Sequence, residues 1–164
     1  PTTRTTKDAD AMGAEERLAA LKLELPTAPK PVATYVTALR VGEFLYVSGH
    51  GPLKSDGALI LGKVGVDLDL EGGYAAARQT GLAMLATIKE HLGSLDKVVR
   101  LVKTLGLVNC PADYKDQPKV INGFSELMKD VFGEAGVGTR SAFGAGSLPS
   151  GMAVEVEAIF QVKD

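Results

Sequence analysis

The sequence predicts an α+β domain, one sheet covered on one face by two long helices, and three observations lead there. Residues 71–92 and 115–132 repeat apolar side chains at spacings of three and four, the period of a helix with one buried face. Residues 152–163 alternate strictly between apolar and mainly polar side chains, the period of a strand with one buried face. The remaining β-branched runs do not alternate regularly with helices as a doubly wound sheet requires, so strands and helices fall into an α+β order.

Residues 14–23, AEERLAALKL, are strong helix formers with Leu18 and Leu21 on one side, and Pro26, Pro29 and Pro31 stop that helix and continue as an extended connector. Residues 35–39 and 44–48 are β-branched and aromatic; the four residues between them, Arg40, Val41, Gly42 and Glu43, make an antiparallel hairpin. The SGHGPLKSDGAL segment reads as a glycine-rich loop. The helix over 71–92 carries Tyr74, Ala77, Gly81, Leu85, Ile88 and Leu92 on one face, with Gly93 as its stop. Residues 98–109 form a strand. The helix over 115–132 is marked by Val120, Ile121, Phe124, Leu127, Met128 and Val131 and ends at Gly133. Residues 1–13 are polar, lack apolar period and contain a candidate native start at Met12; they read as a tag remnant or a disordered arm, leaving 14–164 as a single domain whose leading helix and connector fill 14–31.

At 164 residues the chain can bury a core without a disulfide or a structural metal. A formal net charge of -2 gives no basic footprint for nucleic acid. One cysteine, Cys110, cannot form an intramolecular disulfide and reads as a small buried apolar group; with no signal peptide or spanning segment, a cytoplasmic setting is expected and a membrane partner is not. His50 and His91 lie far apart in sequence, so no metal is expected.

The residues able to carry chemistry are few. Arg140 opens the strand of SAFGA after a glycine-rich turn, and a guanidinium matches a carboxylate through a two-pronged fork; an exposed or intersubunit ion pair is the alternative. Glu155 and Glu157 point to one face of the last strand, roughly 7 Å apart, either holding a water or facing solvent. Tyr35 is able to wall a pocket or simply pack. Gly49 and Gly51 permit close approach of backbone to a ligand, and His50 between them is able to titrate near neutrality or is merely exposed. No phosphate-binding GxxxxGK[ST] spacing is present. Asn122, among apolar neighbours on its helix, needs hydrogen-bond partners and could tie that helix to a strand or subunit.

PVATYVTAL, VSGHGPL, KEHLGSLDKVVRLVKTLGLVN, VINGFSELMKDVFG, TRSAFGAGSLP and GMAVEVEAI occur in an order that resembles the Rid family, the reactive intermediate deaminases also called the YjgF or endoribonuclease L-PSP family. The similarity runs from about Pro31 to the C-terminus. It implies a single mixed sheet with two long helices on one face, a homotrimer with ligand clefts between subunits, and cofactor-independent, metal-free hydrolysis of enamines and imines such as 2-aminoacrylate to a 2-keto acid and ammonia. On matching positions Arg140 holds the substrate carboxylate, Glu155 orients or deprotonates water, Tyr35, Gly49, His50 and Ala142 line the ligand, and Asn122 is structural support.

The chain departs from the family pattern in ways that bear on its substrate. Ala142 stands where deaminase members commonly carry a cysteine, leaving a backbone carbonyl to bind water. His50 replaces a frequent glutamine, and Ser125, Met128 and Lys129 replace aromatic residues, while the leading helix and connector mark a divergent subgroup. A non-catalytic trimer that binds a keto acid is the alternative function. Ribonuclease activity, also attached to the family, is disfavoured by the near-neutral composition and the lack of a histidine pair or basic patch.

Overall fold

The computed structural model of the chain describes residues 11–164. Most of the stretch read as a tag remnant or arm, residues 1–13, therefore lies outside the described residues. Five strands form one mixed sheet in the order β1-β2-β5-β3-β4. In chain order the elements are α1 (Ala14–Ala20), β1 (Ala38–Val41), β2 (Phe44–His50), α2 (Leu70–Leu92), β3 (Val98–Asn109), α3 (Gln117–Phe132), β4 (Thr139–Ala145) and β5 (Val154–Val162). All neighbouring strands are antiparallel except β3 and β4, which α3 joins as a parallel pair at one edge.

The two long helices pack side by side over one face of the sheet. Met84, Leu85 and Ile88 of α2 and Ile121, Phe124 and Leu127 of α3 are fully buried there, against Val154, Val156 and Phe160 of β5. The alternation of β5 is the reason: its even-numbered residues face the helices, while Glu155, Glu157, Ile159 and Gln161 face the other way. Asp69 caps α2 by accepting the Gly72 N–H, and left-handed Gly93 ends it, which accounts for the sharp limits seen in the sequence pattern. Among the described residues no helix covers the second face, where Leu39, Val41, Tyr46 and Phe143 are all about half exposed. Among the described residues, no helix is long and apolar enough to cross a membrane.

The leading helix stops at Ala20, three residues earlier than expected, with Lys22 at a positive φ. It docks by reciprocal capping: the Glu15 N–H donates to Asp96 Oδ1 (3.1 Å), and Glu15 Oε1 accepts the Leu95 N–H (2.9 Å).

Two expectations need correction. The hairpin closes through two residues, not four, because Gly42 takes φ +61° at the first central position, as in type II′ turns, and lets Val41 pair with Phe44. The first strand consequently runs over Ala38–Val41, and Tyr35 lies before it. His50 is not on an exposed loop. It ends β2 and is 3% exposed, because a register irregularity between Val47 and His50 carries its ring to the helix-covered face.

Candidate active site

Arg140 and Glu155 lie on opposite faces of the sheet. Val47, Ala158, Thr104 and Arg140 form one cross-strand row, and buried Ala158 and Thr104 put that row on the face packed by the helices. Glu155, Leu107 and Phe143 form a row on the uncovered face. Because side chains alternate along a strand, no rotamer change within one chain brings the two groups into a common cleft.

On the helix side, α3 holds the Arg140 guanidinium. Nη1 donates to Asn122 Oδ1 (2.8 Å) and Ser125 Oγ (3.2 Å), and Nη2 donates to the Pro118 carbonyl (3.4 Å). Those bonds use three of the five N–H donors. Nε–H and one Nη2–H remain without a partner among the described residues, and these two donors are the pair that matches a carboxylate. Arg140 sits on the edge strand and is exposed, so the free side is open to a ligand. Asn122 and Ser125 are one turn apart on α3, and this spacing, rather than any aromatic, is what the helix offers the arginine. Ala142, two residues along β4, lies in a row with Gly106 and Val156 and packs on the core.

On the open side, Glu155 is partly buried. Burial first, and then repulsion from Glu157, push its carboxyl above the ordinary carboxylate range. Gly49 lies directly against it: a Cβ built on Gly49 would stand 2.5 Å from Glu155 Oε1. Tyr35 belongs to this side too. Ser48 fixes the segment that carries it, its N–H donating to the Thr37 carbonyl (3.0 Å) and its Oγ to the Val36 carbonyl (2.6 Å). With Leu39, Tyr46, Lys103, Leu105 and Glu157, Tyr35 lines a cavity of about 450 Å³ on the sheet surface. Lys103 makes no ion pair among the described residues; an exposed lysine on a strand carried no signal that separated it from others.

The His50 ring lies behind this arrangement, in the core. Nδ1 faces the Ser48 carbonyl (2.6 Å) and Nε2 faces Thr87 Oγ1 of α2 (2.7 Å). A carbonyl only accepts, which assigns the proton to Nδ1 and leaves Nε2 accepting from the Thr87 hydroxyl. Burial depresses the imidazole pKa, and the Ser48 bond opposes this only in part. The ring has no free nitrogen to offer a ligand. A threonine in the buried stripe of α2 was the available clue to this pairing.

The family described as "YjgF/chorismate_mutase-like, putative endoribonuclease" matches residues 15–158, and the protein belongs to this family. Protein TCP17 of Trypanosoma cruzi is 38% identical over 145 residues, covering 88% of this chain and 91% of that protein. The crystal structure of Atu1372 from Agrobacterium tumefaciens, of unknown function, has a TM-score of 0.84 at 38% identity and covers 92% of each chain. A Shewanella oneidensis structure described as a "putative endoribonuclease" has a TM-score of 0.88 at 30% identity, covering 92% of this chain and all of its own. All three similarities cover well over four-fifths of this chain.

Proposed function

We propose that the protein is a cofactor-independent hydrolase of 2-imino and 2-enamino acids, such as 2-aminoacrylate, working in clefts between the subunits of a homotrimer in the cytoplasm. The observation that carries this reading is the arginine fork held by α3. Arg140 offers two parallel donors to a carboxylate from a preorganised side chain, so little conformational freedom is lost on binding. Glu155, whose carboxyl burial and Glu157 push above the ordinary carboxylate range, is the group on the open face able to take and return a proton. Since the two groups occupy opposite faces of one sheet, a cleft containing both takes Arg140 from one copy and Glu155 from the next. The apolar, uncovered sheet face is a suitable surface for such an assembly.

In the reaction, the protonated Glu155 carboxyl gives its proton to C3 of the enamine, which leaves the Glu155 carboxylate and the 2-iminium acid, whose C2 is electrophilic. Water adds to C2 as its proton passes to the Glu155 carboxylate. The resulting carbinolamine takes that proton on nitrogen and expels ammonia as its hydroxyl proton returns to Glu155, leaving the 2-keto acid and the protonated carboxyl of the start. Arg140 fixes the carboxylate throughout, and positioning supplies most of the acceleration. The test is to generate 2-aminoacrylate in situ and follow keto-acid formation: wild type accelerates it and Arg140→Ala does not, whereas equal rates exclude deamination. Saturable binding of 2-ketobutyrate without turnover of any imine supports the keto-acid-binding alternative instead.

The endoribonuclease name in the family description and on the Shewanella relative favours a second reading. RNA cleavage that survives repeated purification and disappears in Glu155→Gln supports it. The net charge of -2 offers little to a polyanion.

A further inference from the structure

We propose that the irregular end of β2, Ser48 to His50, is a positioning device for the Glu155 carboxyl: Gly49 leaves the space in which the carboxyl lies, and His50 anchors that backbone from the core. The inference rests on the reading of Glu155 as the proton-handling group, and it assigns His50 a place behind the site rather than against a ligand.

Gly49 has no positive φ, so its backbone is one that any residue adopts. What it lacks is a Cβ. A methyl group there would stand 2.5 Å from Glu155 Oε1, 3.1 Å from Cδ and 3.3 Å from Cγ, within the space the glutamate side chain occupies. The glutamate therefore lies down on the backbone of β2, half out of solvent, beside Glu157. This placement depends on where β2 runs. Regular pairing with β5 breaks between Val47 and His50, and there the strand is held by the Ser48 N–H on the Thr37 carbonyl and by side chains. On one side Ser48 Oγ donates to the Val36 carbonyl; on the other, the His50 ring bridges the Ser48 carbonyl and Thr87 Oγ1 of α2. His50 also pairs in register with Val156, the residue after Glu155, so the anchor and the carboxyl it serves sit on adjoining positions of β2 and β5. The titratable groups facing Glu155 are Glu157 on its own strand; His50 stands on the opposite face of the sheet and is neutral in the assigned tautomer.

The substitution Gly49→Ala isolates the contact. It adds no backbone strain, and the clash is with the flexible end of a glutamate, so the fold survives while the carboxyl is displaced toward water. Thr87→Val removes the hydroxyl behind His50 with little change of volume. The measurement is a ¹³C NMR titration of the Glu155 carboxyl in wild type, Gly49→Ala and Thr87→Val, with melting temperature read in parallel. In Gly49→Ala the Glu155 pKa falls toward that of a solvated glutamate at near-unchanged melting temperature, and Thr87→Val gives a smaller shift of the same sign. A Glu155 titration in Gly49→Ala indistinguishable from wild type overturns the proposal. With an imine substrate, displacement of the group by about 1 Å lowers kcat of Gly49→Ala by roughly tenfold to a hundredfold with KM little changed. If wild type turns over no imine, the deaminase reading falls while the titration still decides whether Gly49 and His50 position Glu155.

Discussion

Arg140 illustrates how much a single side chain depends on the helix facing it. Its proposed use as a clamp rests on the two donors that α3 leaves free, and Lys cannot reproduce them: an ammonium is a point charge on a flexible stem. Arg140→Lys is expected to raise KM for a 2-imino acid by roughly tenfold to a hundredfold, the loss of one charge-assisted hydrogen bond, with a small drop in melting temperature from the lost contacts to α3. At Glu155 the sign of the pKa shift predicts a stability effect. A carboxyl whose folded pKa lies above its unfolded value contributes stability that is complete below the unfolded pKa and is lost as pH rises through the folded one. Glu155→Gln, which cannot ionise, is therefore expected to melt higher than wild type at pH 7 and level with it near pH 4, as differential scanning calorimetry will show. The sequence motifs identified both residues, but alternation along β5 and the register of β4 were needed to learn that they face opposite ways. A one-residue change of register reverses every side chain on a strand, and nothing in the TRSAFGA run specifies it.

The elements that a strong period marks, α2, α3 and β5, end within two residues of where the sequence puts them, since a buried face enforces its own spacing. The first hairpin and the end of β2 were harder. In YVTAL every residue suits a strand, so only the two-residue turn at Gly42 and Glu43 decides which of them pair; a bulge then sends His50 inward where a glycine-flanked histidine suggests exposure. The leading helix shows a different source of order. Glu15 accepts the Leu95 N–H and pairs with Lys89 Nζ at 2.9 Å. Burial alone raises its carboxyl pKa, but the Leu95 and Lys89 contacts outweigh this and hold it below the usual range. Glu15→Ala is expected to destabilise the fold by about 1 kcal/mol, read as a shift in the denaturant midpoint, by stranding the Leu95 N–H.

For the whole molecule, the uncovered sheet face and the buried histidine make separate demands. His50 has a depressed folded pKa, so its contribution to stability is complete above the unfolded value of 6.5 and is lost as pH falls below it. Wild type is expected to lose melting temperature between pH 7.5 and pH 5, and His50→Gln to lose less over the same interval. Phe143 is half exposed on the open face, in line with Glu155, and contributes nothing to the buried core of one chain. Phe143→Glu should leave the secondary structure intact and, on the proposed homotrimer, convert a three-subunit mass to that of a monomer in light scattering, with loss of the proposed imine hydrolysis. The measurement that bears most directly on the proposed intersubunit site is complementation: mix Arg140→Ala and Glu155→Gln proteins, each expected to be inactive, dissociate and reassemble them, and assay keto-acid release from 2-aminoacrylate. Mixed trimers regain activity if each cleft draws its arginine and its glutamate from different copies, and a mixture as inactive as either parent contradicts the account.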